Sequence, residues 1–554
     1  KPAGPPPMGP RNPSASMGSG KEASEINDND HVVKWASRHL LPVAPVLFLL
    51  HKALHKFRAK RGVLGLRASL VAGVVLLFSR TFKTLARQLL GRGRMAPDIP
   101  GRLPLIGHLV EVFRIQPIIF DWFAQTYPKV GRTMRVIIGP EWWPAKVLTF
   151  TTDPANVEHF LKTNFDNYGK GQEVMDIMKH FLGQGIFAAD GEIWKHQRKV
   201  SARIFNRHNF SESMVYIFQA HARRLISVLK GRAAQGQEVD MQELFFCLTF
   251  DAFSEIGFGI PWNTIEADKP GASERRLFAN HFDTAQAVST TRFWMRPWWK
   301  LERGLAHLGV LPRCNQEVQL IESLRYMDRM VDEILDKRLA EERRPVEDKS
   351  TADLLALFME SSQDKTFLRD IVINFIIAGR DTTACTLSWL FWRLQSRSDV
   401  LARVREEVAA VAAEDSPSNT EEQRLSFSAL NKLPYCHACV RETIRLHPSV
   451  PMNTKVAFND DVLPDGTLVC KGDFLCYDPF STARMTEHWG EDAAEWNPER
   501  WLKMEKEPSV FMNCAFQAGP RICLGREMAV LEIKAVLAQI ILSGVEWRGR
   551  GGVE

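Results

Sequence analysis

Apolar residues recurring every three or four positions dominate the chain from about residue 109 onward. That pattern predicts a mainly helical body. It is clearest over residues 213–230, 241–258, 315–342, 367–397, 433–446 and 526–542. Two short runs, 133–138 and 145–150, are apolar and β-branched and predict strands. The stretch 367–397 is the longest and most apolar, yet its centre reads Ala378, Gly379, Arg380, Asp381, Thr382, Thr383. Gly costs roughly 1 kcal/mol inside a helix, and Asp and Thr compete for backbone hydrogen bonds. A break is therefore predicted there, of the kind that marks a functional turn.

The pattern differs at the N-terminus. Residues 1–31 are rich in Pro, Gly, Ser and Asn and are predicted to be disordered. Apolar stretches 40–50 and 63–79 follow, separated by the basic run 51–61. The second stretch meets the lower limit of about 17 residues for crossing hydrocarbon, and Arg67 near its start can snorkel. A basic surface helix and an acid-poor transit segment are the other readings. Pro97, Pro100 and Pro104 then stiffen the passage into the body.

Charge follows the same division. The formal net charge is +6, but residues 32–96 hold 13 Lys and Arg and no Asp or Glu. The body is therefore net acidic. The basic balance belongs to the membrane-anchor or targeting region and gives no ground for a nucleic-acid partner. Nine cysteines, an odd number at irregular spacing, make no disulfide framework. Cys436 and Cys439 form a C-x-x-C with no second pair at zinc spacing, and no C-x-x-C-H occurs.

Chemistry concentrates in a few places. Phe516, Gly519, Arg521, Cys523 and Gly525 form a Gly- and Pro-containing loop directly before the apolar helix 526–542. Helix N-terminal amides and a nearby Arg favour a thiolate, and thiolate is an axial ligand of haem iron. Asp381 beside Thr382 can relay protons. Trp194 and Arg198 share one helical face and both donate, as suits a carboxylate. Glu442 and Arg445 are three residues apart, Arg500 follows downstream, and Lys455 lies between. Each has an ordinary alternative when taken alone: a buried cysteine in a turn, a Trp packed on an Arg stem, a capped helix kink, a surface ion pair, a solvated lysine.

Together they form W-x-x-x-R, A-G-x-D-T-T, E-x-x-R, P-E-R-W and F-x-x-G-x-R-x-C-x-G, in that order. The chain from roughly Pro97 to Gly544 resembles cytochromes P450. The resemblance implies a mainly α fold with a smaller β part, and haem b bound through the Cys523 thiolate. It implies Trp194, Arg198, Lys455, Arg521 and Phe516 around that haem. Thr382 would hydrogen-bond bound oxygen and Asp381 would help deliver protons. Glu442, Arg445 and Arg500 would form a buried supporting triad. It also implies O2 as co-substrate, NADPH electrons through a reductase docking on the Cys523 side, and a hydrophobic substrate. Residues 32–96 would attach the 97–554 haem domain to the endoplasmic reticulum membrane, facing the cytosol, with a plastid membrane as the alternative.

Several runs narrow the resemblance: Phe165 to Gly171, Gly183 to Trp194, His196 to Lys199, Arg484-Met485, Trp489 to Asp492 and Ala518 to Gly525. These are similar to the plant and algal fatty-acid ω-hydroxylase clan, which implies terminal hydroxylation of a fatty acid or long alkyl chain. A carotenoid or sterol hydroxylase shares every motif. A hydroperoxide-rearranging relative would lack the Asp381–Thr382 pair. Some animal fatty-acid hydroxylases ester-link haem through a Glu where this chain has Ile371, so covalent haem is not expected. Only 31 residues follow Cys523. The family continues into a β-hairpin bordering the pocket, so a truncated C-terminus is expected, and a non-catalytic haem protein would tolerate that loss.

Overall fold

The computed structural model describes residues 93–549 apart from 104–105, 140–145, 206–211, 261, 267–271, 295–298, 343–352 and 416–423. They fall within one of two compact units, Phe78–Glu554. The disordered, apolar and basic stretches expected before residue 93 lie outside the described residues, as do the last residues of the chain. Among the described residues no helix is long and apolar enough to cross a membrane.

Ten helices carry the argument: α1 (Gly171–Leu182), α2 (Gly191–Ile204), α3 (Glu212–Ala234), α4 (Met241–Phe258), α5 (Ala272–Trp294), α6 (Gln316–Glu342), α7 (Lys365–Gln395), α8 (Ser398–Asp415), α9 (Pro434–Leu446) and α10 (Arg526–Leu542). Their ends follow local chemistry. Asp240 caps α4 by accepting from the Glu243 amide, and the helix stops at Gly259, whose φ of 65° is left-handed. Asp364 caps α7 through the Thr366 amide. Pro434 opens α9, where its missing N–H costs nothing. The main core gathers residues from all ten helices. Helices α1, α5 and α8 were not read from the pattern. Helix α5 buries Phe278, Phe282, Ala285 and Val288 at spacings of three and four, with the polar Ser289 and Arg292 buried beside them.

A five-stranded sheet packs beside the helices in the order β1 (Thr133–Ile138), β2 (Lys146–Thr151), β7 (Phe474–Tyr477), β4 (Asn453–Ala457), β3 (Tyr168–Gly169). Strands β1 and β2 run antiparallel. Strand β2 runs parallel to β7, far along the chain, and β7 is antiparallel to β4. Strand β4 pairs with β3, and β5 (Asp461–Val462) pairs with β6 (Leu468–Val469) in a separate ribbon. The Pro-rich entry is bound to this layer. Asp98 bridges to Arg135 of β1, and Gly107 bridges to Ile138.

One expectation is corrected. Helix α7 runs without interruption from Lys365 to Gln395. Its central hydroxyls bond back to carbonyls one turn earlier, and the helix accommodates them without unwinding. Thr382 Oγ1 donates to the Ala378 carbonyl at 2.7 Å, and Thr249 Oγ1 of α4 donates to the Arg380 carbonyl at 2.8 Å. Ser449 Oγ and Thr386 Oγ1 both donate to the Thr382 carbonyl, at 2.8 and 2.9 Å. Gly379 serves close packing: a Cβ there would lie 2.1 Å from the ring of Phe253 on α4.

Candidate active site

The loop bearing Cys523 is held by its own backbone. The Cys523 amide donates to the Phe516 carbonyl at 2.8 Å, and Phe516 packs on the main core. Gly519 turns at φ 65°, where a Cβ would strike the Leu161 carbonyl at 2.0 Å. Helix α10 then starts at Arg526. Cys523 is accessible, yet protein surrounds it closely enough that burial pushes its thiol up. The Gly525 amide and the Arg198 and Arg526 guanidiniums oppose that shift. The Arg521 charge, two residues ahead, is directed elsewhere. Its Nη2 donates to Asp190 Oδ1 at 2.6 Å and to the Ala189 carbonyl at 3.1 Å, and its guanidinium sits 4.3 Å over the Trp194 ring.

A cationic cluster surrounds that contact. Lys455 of β4 is buried, and its Nζ has no hydrogen-bond partner among the described residues. Burial holds it well below the usual ammonium range, and repulsion from Lys170 and Arg521 adds to that. Lys170 is lowered to about 8 by burial and by Arg521, with Asp190 opposing. Burial also lowers Arg198, while Cys523 opposes. Lys170 and Asp190 were missed as site residues. Asp190 stands where a helix cap would be read for α2 but makes no cap bond. Its Oδ2 accepts from the Lys170 and Gly171 amides at 2.8 and 3.1 Å, which turns it toward Arg521.

These groups fit a haem. Lys170, Lys455 and Arg521 face one carboxylate, Asp190, so basic groups outnumber acidic ones in the cluster. A buried ammonium without a partner is costly, and a dicarboxylate edge satisfies it. A cysteine sulfur beside cations supplies the donor for the iron.

On α7, Arg380 joins the acid to the surface. Its Nη1 donates to Asp381 Oδ1 at 2.9 Å, and it also pairs with half-exposed Asp283 of α5 at 2.5 Å. Burial raises the Asp381 carboxyl, opposed mainly by Arg380. Thr382 turns its hydroxyl back to Ala378, so no hydrogen bond joins the two adjacent side chains among the described residues. Helix α10 is tied to α7 by Glu532, whose carboxyl is buried against Thr383 and pushed well above the usual range by that burial. Ile371 lies in the packed core.

The structure brings Glu442, Arg445 and Arg500 together. Arg445 donates through Nε and Nη2 to the two Glu442 oxygens, each at 2.8 Å, and both residues are buried. Arg500 Nε adds a bond at 3.3 Å, the Asn497 amide one at 2.9 Å and Trp501 Nε1 one at 3.0 Å. Cys436 and Cys439 are buried on α9 with thiols raised by burial. Among the described residues no group of three or more metal-ligating side chains occurs.

Comparison with known proteins agrees with this arrangement. A family profile described as cytochrome P450 matches residues 97–543. The chain is 35% identical to cytochrome P450 704B1 of Arabidopsis thaliana, over 79% of this chain and 88% of that protein. It is 34% identical to cytochrome P450 86B1 of the same plant, over 79% of each. It is 31% identical to cytochrome P450 monooxygenase cyp1 of Mycosarcoma maydis, over 96% of this chain and 80% of that protein. A thiol-bearing loop, a cationic cradle and a buried Glu–Arg pair thus lie within a family match covering most of the chain, which belongs to the cytochrome P450 family as a monooxygenase.

Proposed function

We propose that this monooxygenase hydroxylates the terminal carbon of fatty acids or comparable long alkyl chains. The family implies a haem-thiolate iron, O2, a hydrophobic substrate and electrons from a reductase. The observation supporting the site assignment is the unpartnered buried Lys455 of β4 amid Lys170 and Arg521, the last on the Cys523 loop. Support for the alkyl substrate is the likeness of the Phe165 to Gly171, Gly183 to Trp194 and Ala518 to Gly525 runs to fatty-acid ω-hydroxylases.

The residue roles follow from placement. Cys523 provides the axial sulfur. Trp194, Arg198, Arg521, Lys455 and Lys170 hold the carboxylate edge, and Phe516 backs the loop. The haem, when bound, supplies reductive activation of O2, with one oxygen atom entering a C–H bond and the other leaving as water. Asp381, its carboxyl raised by burial and held by the Arg380 ion pair, passes a proton toward Thr382 Oγ1. Thr382 Oγ1, released from the Ala378 carbonyl, holds that proton where oxygen reacts. Glu442, Arg445 and Arg500 keep the supporting face rigid. Residues 32–96 attach the 97–554 haem domain to the endoplasmic reticulum membrane.

The test is a substrate screen following the haem Soret band, with fatty acids of varied length against carotenoids and sterols. Fatty acids should shift the band and yield terminal alcohols; a shift only with carotenoids or sterols would overturn the substrate. Cys523→Ser should abolish the red-shifted Soret band of reduced protein with CO. Thr382→Ala should uncouple O2 consumption from product, and unchanged coupling would remove Thr382 from its role.

A further inference from the structure

Helices α9 and α10 and the short helices Phe427–Asn431 and Glu499–Lys503 surround a cavity of about 480 Å³. That volume falls within the range of about 300–1,000 Å³ found for small-molecule sites. No residue of the haem cradle lines it. Leu433, Trp501, Val530 and Leu531 give it apolar walls, and the exposed Asn431 and Leu502 stand where it opens to solvent. Four charged or titratable side chains also line it: His437, Arg441, Glu527 and Lys534.

Two of these charges are already paired. Arg441 donates through Nη1 to Glu507 Oε1 at 2.8 Å and through Nη2 to Oε2, and its guanidinium lies 3.9 Å over the Trp501 ring. Exposed Glu527 accepts from Arg526 Nε and Nη2 at 3.0 and 2.8 Å. Lys534 differs. It is 6% exposed, yet among the described residues no carboxylate forms an ion pair with it. Lysine is almost never buried so fully without a partner charge. Its Nζ donates once, to the Leu430 carbonyl at 2.7 Å, which leaves two of its three N–H groups without an acceptor among the described residues. Burial lowers its pKa, while Cys436, Glu407 and Glu527 oppose the shift. The Glu407 oxygens are taken up by the Tyr435 and Cys436 amides, at 2.7 and 2.8 Å. His437 stands one turn before Arg441 on α9. Burial, helped by Lys534 and Arg441, lowers it to about 4. Its ring is therefore neutral at pH 7, with one N–H to donate, and it makes no hydrogen bond among the described residues.

We propose that this cavity is a second ligand site, which takes a small monocarboxylate with an apolar body. The carboxylate accepts from Lys534 Nζ and from the His437 ring, and the apolar body lies against Leu433, Trp501, Val530 and Leu531. One anionic group answers the one buried cation that lacks an ion pair. The apolar walls disfavour a bare inorganic anion, which would lose its hydration there without return. The site does not depend on which substrate the haem oxidises.

The test is equilibrium dialysis of the full-length holoenzyme with 2-naphthoate and with octanoate, while an azole saturates the haem iron and fills the substrate pocket. One saturable site per chain is expected for at least one acid, with the Soret band showing that the azole stays in place. The uncharged 2-naphthamide should bind at least about tenfold more weakly than 2-naphthoate. Lys534→Met should weaken the acid at least about tenfold, the range of one charge-assisted hydrogen bond, and leave the amide unchanged. Val530→Trp fills the cavity from a half-buried wall position and should abolish binding. The CO band, read without azole, confirms that each variant folds. If Lys534→Met loses that band, the acid-to-amide ratio in wild type and the loss in Val530→Trp decide the matter. No saturable site for either acid overturns the proposal, as does binding that displaces the azole. Equal affinity of acid and amide, or of wild type and Lys534→Met, overturns the carboxylate. Undiminished binding to Val530→Trp overturns the location.

Discussion

Replacing Glu442 with Gln removes the charge at the most heavily bonded buried carboxylate of the site region. Five donors converge on it: two from Arg445, one from Arg500, the Asn497 amide and the Trp501 indole. Gln keeps one acceptor oxygen, turns an NH2 toward the remaining donors and leaves Arg445, 1% exposed, without its counter-charge. Removing one partner of a buried pair costs about 3–5 kcal/mol. Arg445 keeps bonds to the Ala483, Ala493 and Glu495 carbonyls, which hold its guanidinium without neutralising it. The cost should therefore fall near the lower end, about 3 kcal/mol, out of a total stability of about 5–15 kcal/mol. Arg500→Lys should cost less, about 1 kcal/mol, because its bond to Glu442 is longer and Asp492 pairs with it at 2.9 Å. The assay is urea unfolding of the detergent-solubilised protein, with and without haem, followed by Trp fluorescence; Trp489 and Trp501 pack in this cluster. The reasoning is refuted if Glu442→Gln stays within about 1 kcal/mol of wild type, or if Arg500→Lys matches it.

Lys455→Met should stabilise the haem-free protein by about 1–3 kcal/mol, by removing a buried amine without a hydrogen-bond partner, while speeding haem loss. Movement of both in the same direction would argue against a role in holding the carboxylate edge. Lys170 gives a pH dependence. Its folded pKa of about 8 lies below the unfolded value of 10.5, so the unfolded chain binds more protons between them. Stability of the haem-free protein should rise as pH climbs through that window, and Lys170→Met should flatten the rise in urea titrations.

Much of the site was legible because its residues are chemically unusual where they stand. A lone cysteine between glycines before an apolar helix, or Asp-Thr-Thr inside one, violates the local pattern. At 378–383 the violation pointed to a break that the continuous helix α7 does not have. Thr249 on α4 and Ser449 donate to α7 carbonyls at this point, and neither is near in sequence. Lys170 and Asp190 were silent for the opposite reason. A Lys between glycines and an Asp before a helix are ordinary surface and capping residues until folding buries them together.

The sequence by itself determined the family and the helical body, and it singled out Cys523 and the Asp381–Thr382 pair as candidates, because these rest on residue type and spacing within single elements. Only the tertiary structure decided that Arg521 serves Asp190 rather than the sulfur, and that Arg198 and Arg526 act on Cys523 instead. It also decided that Gly183 and Gly185 pack against Asp370 and Asn374, which leave no room for a Cβ. Charge pairing and steric exclusion act through space. They depend on which segments the hydrophobic core brings together, and no local pattern records that choice.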